Sequence, residues 1–183
     1  VMSQIISKQF DGLVSNAITV SAKNDFKDVL RGKVNTLRFE DVEQLRAHAS
    51  GIRDLCPLFS PGGGDVRVGN NKAFAHVLAT TPSYQDVHQR YVENGRFLSA
   101  ADEANARRVA VIGSKLIEDL HLKGDPLGQF IQYSGEWFKV VGVMETRGEL
   151  FGMSQDDYLI IPFKTGRSMI GNNQKPNMRI NVS

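Results

Sequence analysis

The sequence predicts an α+β fold with mixed sheets in two small subdomains, and three observations carry that expectation. Strand-like segments outnumber helical ones by roughly two to one and do not alternate with them one for one, which argues against a doubly wound parallel sheet. Glycine- and asparagine-rich connectors join strand-like segments directly, as hairpins require. Of the 183 residues, 41% are hydrophobic and 23% charged, a balance that fills a core and excludes a disordered chain.

The elements follow in chain order. Residues 1 to 16 read as a helix with Ile5, Ile6, Phe10, Leu13 and Val14 on one side. Ile18 to Ala22 reads as a strand rich in β-branched residues, and the polar run 23–37 as a loop. Phe39 to Ala49 reads as a helix with Val42, Leu45 and Ala49 inward, stopped at Gly51. Strands are expected at Ile52–Phe59, Asp65–Val68 and Lys72–Ala79, joined by hairpin chemistry at Pro61–Gly64 and Gly69–Asn71. Thr81 is a natural N-cap for a helix opened by Pro82 and running to Tyr91. Arg108–Ile112 predicts a strand and Ser114–Leu122 a helix, and two strands, Gln129–Tyr133 and Trp137–Met144, are joined through Ser134-Gly135-Glu136. Phe151 to Ser154 reads as loop. Tyr158–Ile161 predicts a buried strand ended by Pro162, and Lys164–Ile170 a short helix. A second α/β block therefore begins near residue 82. The chain opens directly into apolar helical spacing and stops inside the alternating run Met178–Val182, so both ends are expected to lie within a longer protein.

Chemistry is conspicuous by what the residues lack. The net charge is +2, from 22 Lys and Arg against 20 Asp and Glu, with the signs interleaved as in Arg38-Phe39-Glu40-Asp41. That distribution makes no electrostatic case for nucleic acid, whose phosphate backbone needs clustered excess cations, and no nucleic-acid partner is expected. Cys56, the single cysteine, sits in an apolar run and is expected to be a buried, inert thiol. His48, His76, His88 and His121 show no helical metal-pair spacing, so no metal is expected. Pro61-Gly62-Gly63-Gly64-Asp65 lacks the Lys-Ser/Thr of a phosphate loop, and a strand follows it. Gly113 stands alone where a dinucleotide site needs three glycines, which predicts a tight strand-to-helix connection. The adjacent acids Asp102-Glu103, Glu118-Asp119 and Asp156-Asp157 point apart, so no acid/base pair is in place. No catalytic constellation and no cofactor site is expected. No stretch reaches the ~20 apolar residues that span a bilayer.

Several ordered segments together resemble one family. Glu93-Asn-Gly-Arg-Phe-Leu98 is followed by an acidic stretch and Arg107-Arg-Val-Ala-Val-Ile-Gly113. Then come Gly124-Asp-Pro-Leu-Gly128, Gly135-Glu-Trp-Phe-Lys-Val-Val-Gly-Val-Met144 and Tyr158-Leu-Ile-Ile-Pro162. The order is similar to the periplasmic core domain of MacB-type ABC permeases, the group of macrolide exporters and lipoprotein-releasing permeases. Ile18-Thr-Val-Ser21, the Phe39 helix and Ala79-Thr-Thr-Pro-Ser-Tyr84 extend the likeness over nearly the whole chain.

The resemblance implies a membrane-proximal porter-like part at 1–82, an inserted smaller α/β part at 83–175, and at 176–183 the start of a returning porter-like half that the chain does not continue. It implies a non-enzymatic domain on the periplasmic side of the bacterial inner membrane, carried between transmembrane helices of a dimeric permease. ATP hydrolysis would belong to a separate nucleotide-binding domain, coupled through the membrane part to a periplasmic adaptor or a lipoprotein. A sensor or binding module for a peptide or lipoprotein ligand is the alternative. Large apolar side chains in loops have no core-facing period to explain them, which makes Leu150, Phe151 and Met153, with Tyr84 and Phe97, the candidate partner contacts.

Overall fold

A computed structural model describes residues 6–10, 18–22, 38–48, 55–170 and 178–182. Its strands are β1 (Ile6–Phe10), β2 (Ile18–Ala22), β3 (Leu55–Phe59), β4 (Asp65–Val68), β5 (Asn71–Phe74), β6 (His76–Thr80), β7 (Val92–Gly95), β8 (Val109–Ile112), β9 (Phe130–Tyr133), β10 (Glu136–Met144), β11 (Glu149–Leu150), β12 (Met153–Ser154), β13 (Tyr158–Pro162) and β14 (Arg179–Val182). The helices are α1 (Phe39–His48), α2 (Tyr84–His88), α3 (Ala100–Ala104), α4 (Ser114–Asp119) and α5 (Phe163–Met169). The fold is α+β, as the mixture of elements predicts.

One mixed sheet runs β1-β2-β14-β3-β6-β13-β8-β10-β9-β4-β5, with β7 alongside the far end of β10. Two pairs are parallel, β6 with β13 and β8 with β10, and the other pairs of this sheet are antiparallel. The central strands are the most apolar because both of their faces are covered. All four residues of β8 are buried, and Leu159, Ile160 and Ile161 of β13 are fully so.

Each face carries its own core. On one, α1, α4 and α5 pack through Val42, Leu116 and Phe163 against Phe59, Ile112, Ile131, Phe138 and Leu159. Phe39, Phe59 and Phe163 meet there edge to face, with ring centres 5.2 to 5.6 Å apart. On the other, Tyr84 and Val87 of α2 and the segment Phe97-Leu98 cover Val109, Val111, Met144 and Ile160. Cys56 lies in this second core at 0% exposure with its Sγ 3.3 Å from the Thr80 hydroxyl, the inert position its sequence context predicts.

Two glycines let the layers close. A Cβ on Gly113 would stand 2.1 Å from the Asp156 carbonyl oxygen, and one on Gly142 would stand 2.1 Å from that of Arg96. The tight connection expected at Gly113 is therefore present.

Several expectations are corrected. Ile6–Phe10 is not helical but a strand, paired with β2 from Ile6↔Ala22 to Phe10↔Ile18. A spacing of four residues satisfies the helical period and the strand period alike, so Ile6 and Phe10 could not discriminate. Pro61–Gly64 is no hairpin turn: β3 pairs with β14 and β6, whereas β4 pairs with β5 and β9. The segment Lys72–Ala79 is broken at Ala75, whose N–H donates to the Gly64 carbonyl. The helix expected from Pro82 to Tyr91 is the single turn of α2, with Ser83 rather than Thr81 at its N-cap position. Ser83 Oγ is turned away to donate to the Leu55 carbonyl. The expected loop 23–37, the stop at Gly51 and the residues 1–5 and 11–17 lie outside the described residues.

Candidate functional site: an apolar hairpin tip

Beyond the end of β10 the chain leaves the sheet and folds into a two-stranded hairpin, β11–β12, with Glu149 opposite Ser154 and Leu150 opposite Met153. The turn residues Phe151 and Gly152 have φ of 51° and 75°. Two successive left-handed residues are what a two-residue hairpin turn needs, and only glycine adopts them without strain. Phe151 therefore holds an unfavoured conformation that projects its ring outward at 95% exposure. Met153 is 71% exposed and Leu150 55%. Three large apolar side chains thus stand together at a tip that no core covers.

The root of the hairpin is rigidly held. The Asp156 carboxylate, 3% exposed, accepts the N–H groups of Arg147 at 2.9 Å and Gly148 at 2.7 Å. Its own N–H donates to Ser154 Oγ, and its carbonyl accepts the N–H of Lys115 at the start of α4. Gln155 N–H closes the loop onto the Gly148 carbonyl. An exposed apolar tip on an anchored base presents contact area at little cost in conformational entropy. The sequence reads Phe151 to Ser154 as loop because strands of two residues carry no period.

Of the five sequence-derived contacts, the structure brings Leu150, Phe151 and Met153 together at the tip. Tyr84 and Phe97 are elsewhere, each only 7% exposed in the second core, with their rings stacked 6.1 Å apart. The expectation that they stand exposed is corrected: α2 and the Phe97 segment fold over the sheet, which gives both rings a core to fill. Tyr84 is also stacked on His88, 4.4 Å between ring centres. Burial raises the Tyr84 hydroxyl above its ordinary pKa and lowers that of His88, in the latter case with help from the nearby Arg90 cation.

Beside this segment Asp102 is a buried charge held by several partners. It accepts from Arg96 at 2.7 Å, from Arg107 at 3.4 Å and from the Ser99 N–H, completing a capping box at the start of α3. Burial pushes its carboxyl upward, but the Arg96 and Ser99 bonds outweigh burial and hold it at about 2. The arrangement locks α3 in place rather than preparing chemistry.

Sequence reasoning missed a second exposed apolar set: Phe74, Phe130 and Trp137 at 56%, 53% and 52% exposure, on β5, β9 and β10. The signal was in the strand parity. Trp137 and Lys139 lie two residues apart and so share a face, and a face that holds lysine is a solvated one. Among the described residues no group of three or more His, Cys, Asp or Glu side chains could hold a metal ion. Among them, too, no helix is long and apolar enough to cross a membrane.

The chain is 30% identical over 185 residues to the macrolide export ATP-binding/permease protein MacB of Bdellovibrio bacteriovorus, covering 98% of this chain and 28% of that protein. It is 32% identical over 173 residues to the pyoverdine export ATP-binding/permease protein PvdT of Pseudomonas syringae, covering 93% of this chain and 26% of that protein. The chain thus spans little more than a quarter of either relative's length. The crystal structure of the periplasmic region of MacB from Actinobacillus actinomycetemcomitans shares the fold, with a TM-score of 0.74 at 24% identity over 92% of this chain and 74% of that one. The model of the MacB-like periplasmic core domain matches residues 1–183, and the chain belongs to that family.

Proposed function

We propose that this chain is the extracytoplasmic domain of an export-type ABC permease, without catalysis of its own, that couples cytoplasmic ATP hydrolysis to a periplasmic adaptor or substrate. Family membership supports the placement on the periplasmic side of the inner membrane, between transmembrane helices of a permease that works as a dimer. The two relatives named for export of a macrolide and of pyoverdine support the direction of transport. In this reading ATP is hydrolysed by a nucleotide-binding domain that reaches this one through the membrane part.

The observation that carries the reading is the anchored hairpin with Leu150, Phe151 and Met153 at its tip. A coupling domain needs a stiff element that ends in a sticky surface, because a soft one would dissipate the movement it relays. The division of the chain is part of the proposal. The segment 1–82 begins the membrane-proximal part, residues 83–175 form the inserted part, and 176–183 returns to the first. Strand pairing supports carrying β4 and β5 over to the inserted part, because they join the sheet through β9.

Photo-crosslinking from position 151 in the full-length parent, in its native envelope, tests the reading, with position 84 as a buried control. Capture of a periplasmic adaptor is the result expected of an efflux pump, and capture of a lipoprotein that of a lipoprotein-releasing permease. Recovery of small peptides alone would move the domain to a sensor, and equal yields from both positions would remove the hairpin from the account.

A further inference from the structure

Helix α2 and strand β14 lie far apart in the chain and are bridged by a side-chain contact. Asn181 of β14 and His88 of α2 are 93 residues apart in sequence, and the Asn181 Nδ2 stands 2.7 Å from the His88 Nε2. Asn181 is 7% exposed, on a strand held between β2 and β3, with Thr19 and Cys56 as its cross-strand neighbours. Its Oδ1 is buried, and among the described residues nothing bonds to it. His88 is the last residue of α2, half-buried, with its ring stacked on that of Tyr84. The bond as it stands needs a neutral imidazole: the amide donates, so Nε2 accepts and the ring proton sits on Nδ1. The surroundings favour that form. Arg90, just past α2, acts on the ring as a cation. Asp86 is exposed, and residues two apart on a helix do not face each other. Burial keeps Tyr84, Cys56 and Tyr158 of β13 neutral, the last with its hydroxyl accepting from Arg90 at 3.3 Å. Among the described residues no carboxylate pairs with the His88 ring.

We propose that the His88–Asn181 pair is a proton-sensitive clasp, which holds α2 on β14 while the ring is neutral and releases it when the ring takes up a proton. A protonated ring donates from both nitrogens. Asn181 could meet it only by turning its amide round, which would put the NH₂ group where Oδ1 now has no partner. The new charge would also stand near the Arg90 cation with no acid to offset it. A released α2 leaves its histidine in water, where the proton binds without those costs. Proton uptake therefore pulls the equilibrium towards release. The direction of the titration agrees. Burial, helped by Arg90, holds the docked His88 below the ordinary 6.5. Docking is thus fully supported above pH 6.5, and the support is lost as pH falls from there through the lower docked value. Release would uncover the side of the second core that α2 closes, over Val111, Met144 and Ile160. The clasp goes beyond the coupling function and does not depend on it, because neither residue belongs to the hairpin.

Amide hydrogen exchange in the full-length parent tests this, read at about pH 7.5 and about pH 5.5 and corrected for the intrinsic pH dependence of exchange. The reporting amides are those of Val87, Gln89 and Arg90, which donate to the carbonyls of Ser83 and Gln85. Their corrected exchange is expected to be at least about threefold faster at the lower pH, while β8 and β13 do not change. His88→Gln keeps an acceptor for the Asn181 amide but cannot take up a proton, and is expected to remove the acid response. That variant also loses the ring stacked on Tyr84, so Asn181→Asp supplies an independent check. It preserves the shape of the side chain and offers a protonated ring a counter-charge, and is expected to reverse the response, with α2 better protected in acid. An unaltered protein whose α2 exchanges alike at both pH values would overturn the proposal. So would an acid response that persists in His88→Gln, or an Asn181→Asp variant that behaves as the unaltered protein does.

Discussion

Asp102 is the residue on which acid stability turns. Its side chain is 0% exposed and its carboxyl is held at about 2, below the ordinary 3.8, by Arg96 and Ser99 against the opposing pull of burial. A group whose folded pKa is depressed stabilises above its unfolded pKa, and that contribution is lost as pH falls through the folded value. Asp102 therefore contributes on the order of 2 kcal/mol at neutral pH, and the loss falls between pH 3.8 and about 2. Asp102→Asn is expected to lower stability by about that amount at pH 7 and to flatten the decline in this window, read by urea unfolding at both ends of it. Cys56 gives a second residue-scale test. Burial raises its thiol pKa, so at pH 8 the native chain is expected to resist a maleimide and to react only once urea unfolds it.

At the scale of the element, the hairpin β11–β12 depends on one carboxylate more than on its own pairing. A two-stranded ribbon is marginal in water, and this one has only two residues in each strand. Asp156→Ala would release the N–H groups of Arg147 and Gly148 together. Amide exchange over residues 147–155 is expected to accelerate by at least about tenfold while that of β8 and β13 stays unchanged, because local opening here is independent of the core. Acceleration spread evenly over the chain would contradict that role. The same scale shows what the sequence makes readable. β8, β10 and β13 are legible because short apolar runs bounded by turn residues leave little choice of structure. β1 was misread because its apolar spacing fits two periods, and Pro61–Gly64 because glycine marks a turn without saying which strand comes next. The hairpin was legible only as an unexplained cluster of apolar residues, for its pairing is too short to leave a pattern.

For the whole molecule, the strand order lies beyond local sequence. β14 sits between β2 and β3, and β13 joins β6 to β8 across a separation of many residues, so each neighbour is set by long-range packing. That packing also decides which aromatic residues are covered. Tyr84, on a short helix, and Phe97, in a connecting segment, are buried by the second core, whereas Trp137 on β10 is left half exposed. Leu150, Phe151 and Met153 stand exposed because their exposure follows from a local turn rather than from the architecture. The family model matches the chain over residues 1–183.

The most direct test of the coupling account is to measure ATP hydrolysis and export side by side in the full-length parent carrying Phe151→Asp. The side chain is 95% exposed, so the substitution is expected to leave folding within about 0.5 kcal/mol of the unaltered protein. The account predicts that hydrolysis continues at its basal rate while export falls by at least about tenfold, the effect of losing one central contact residue. Export that proceeds unchanged, with the charge seated at the tip, would contradict it.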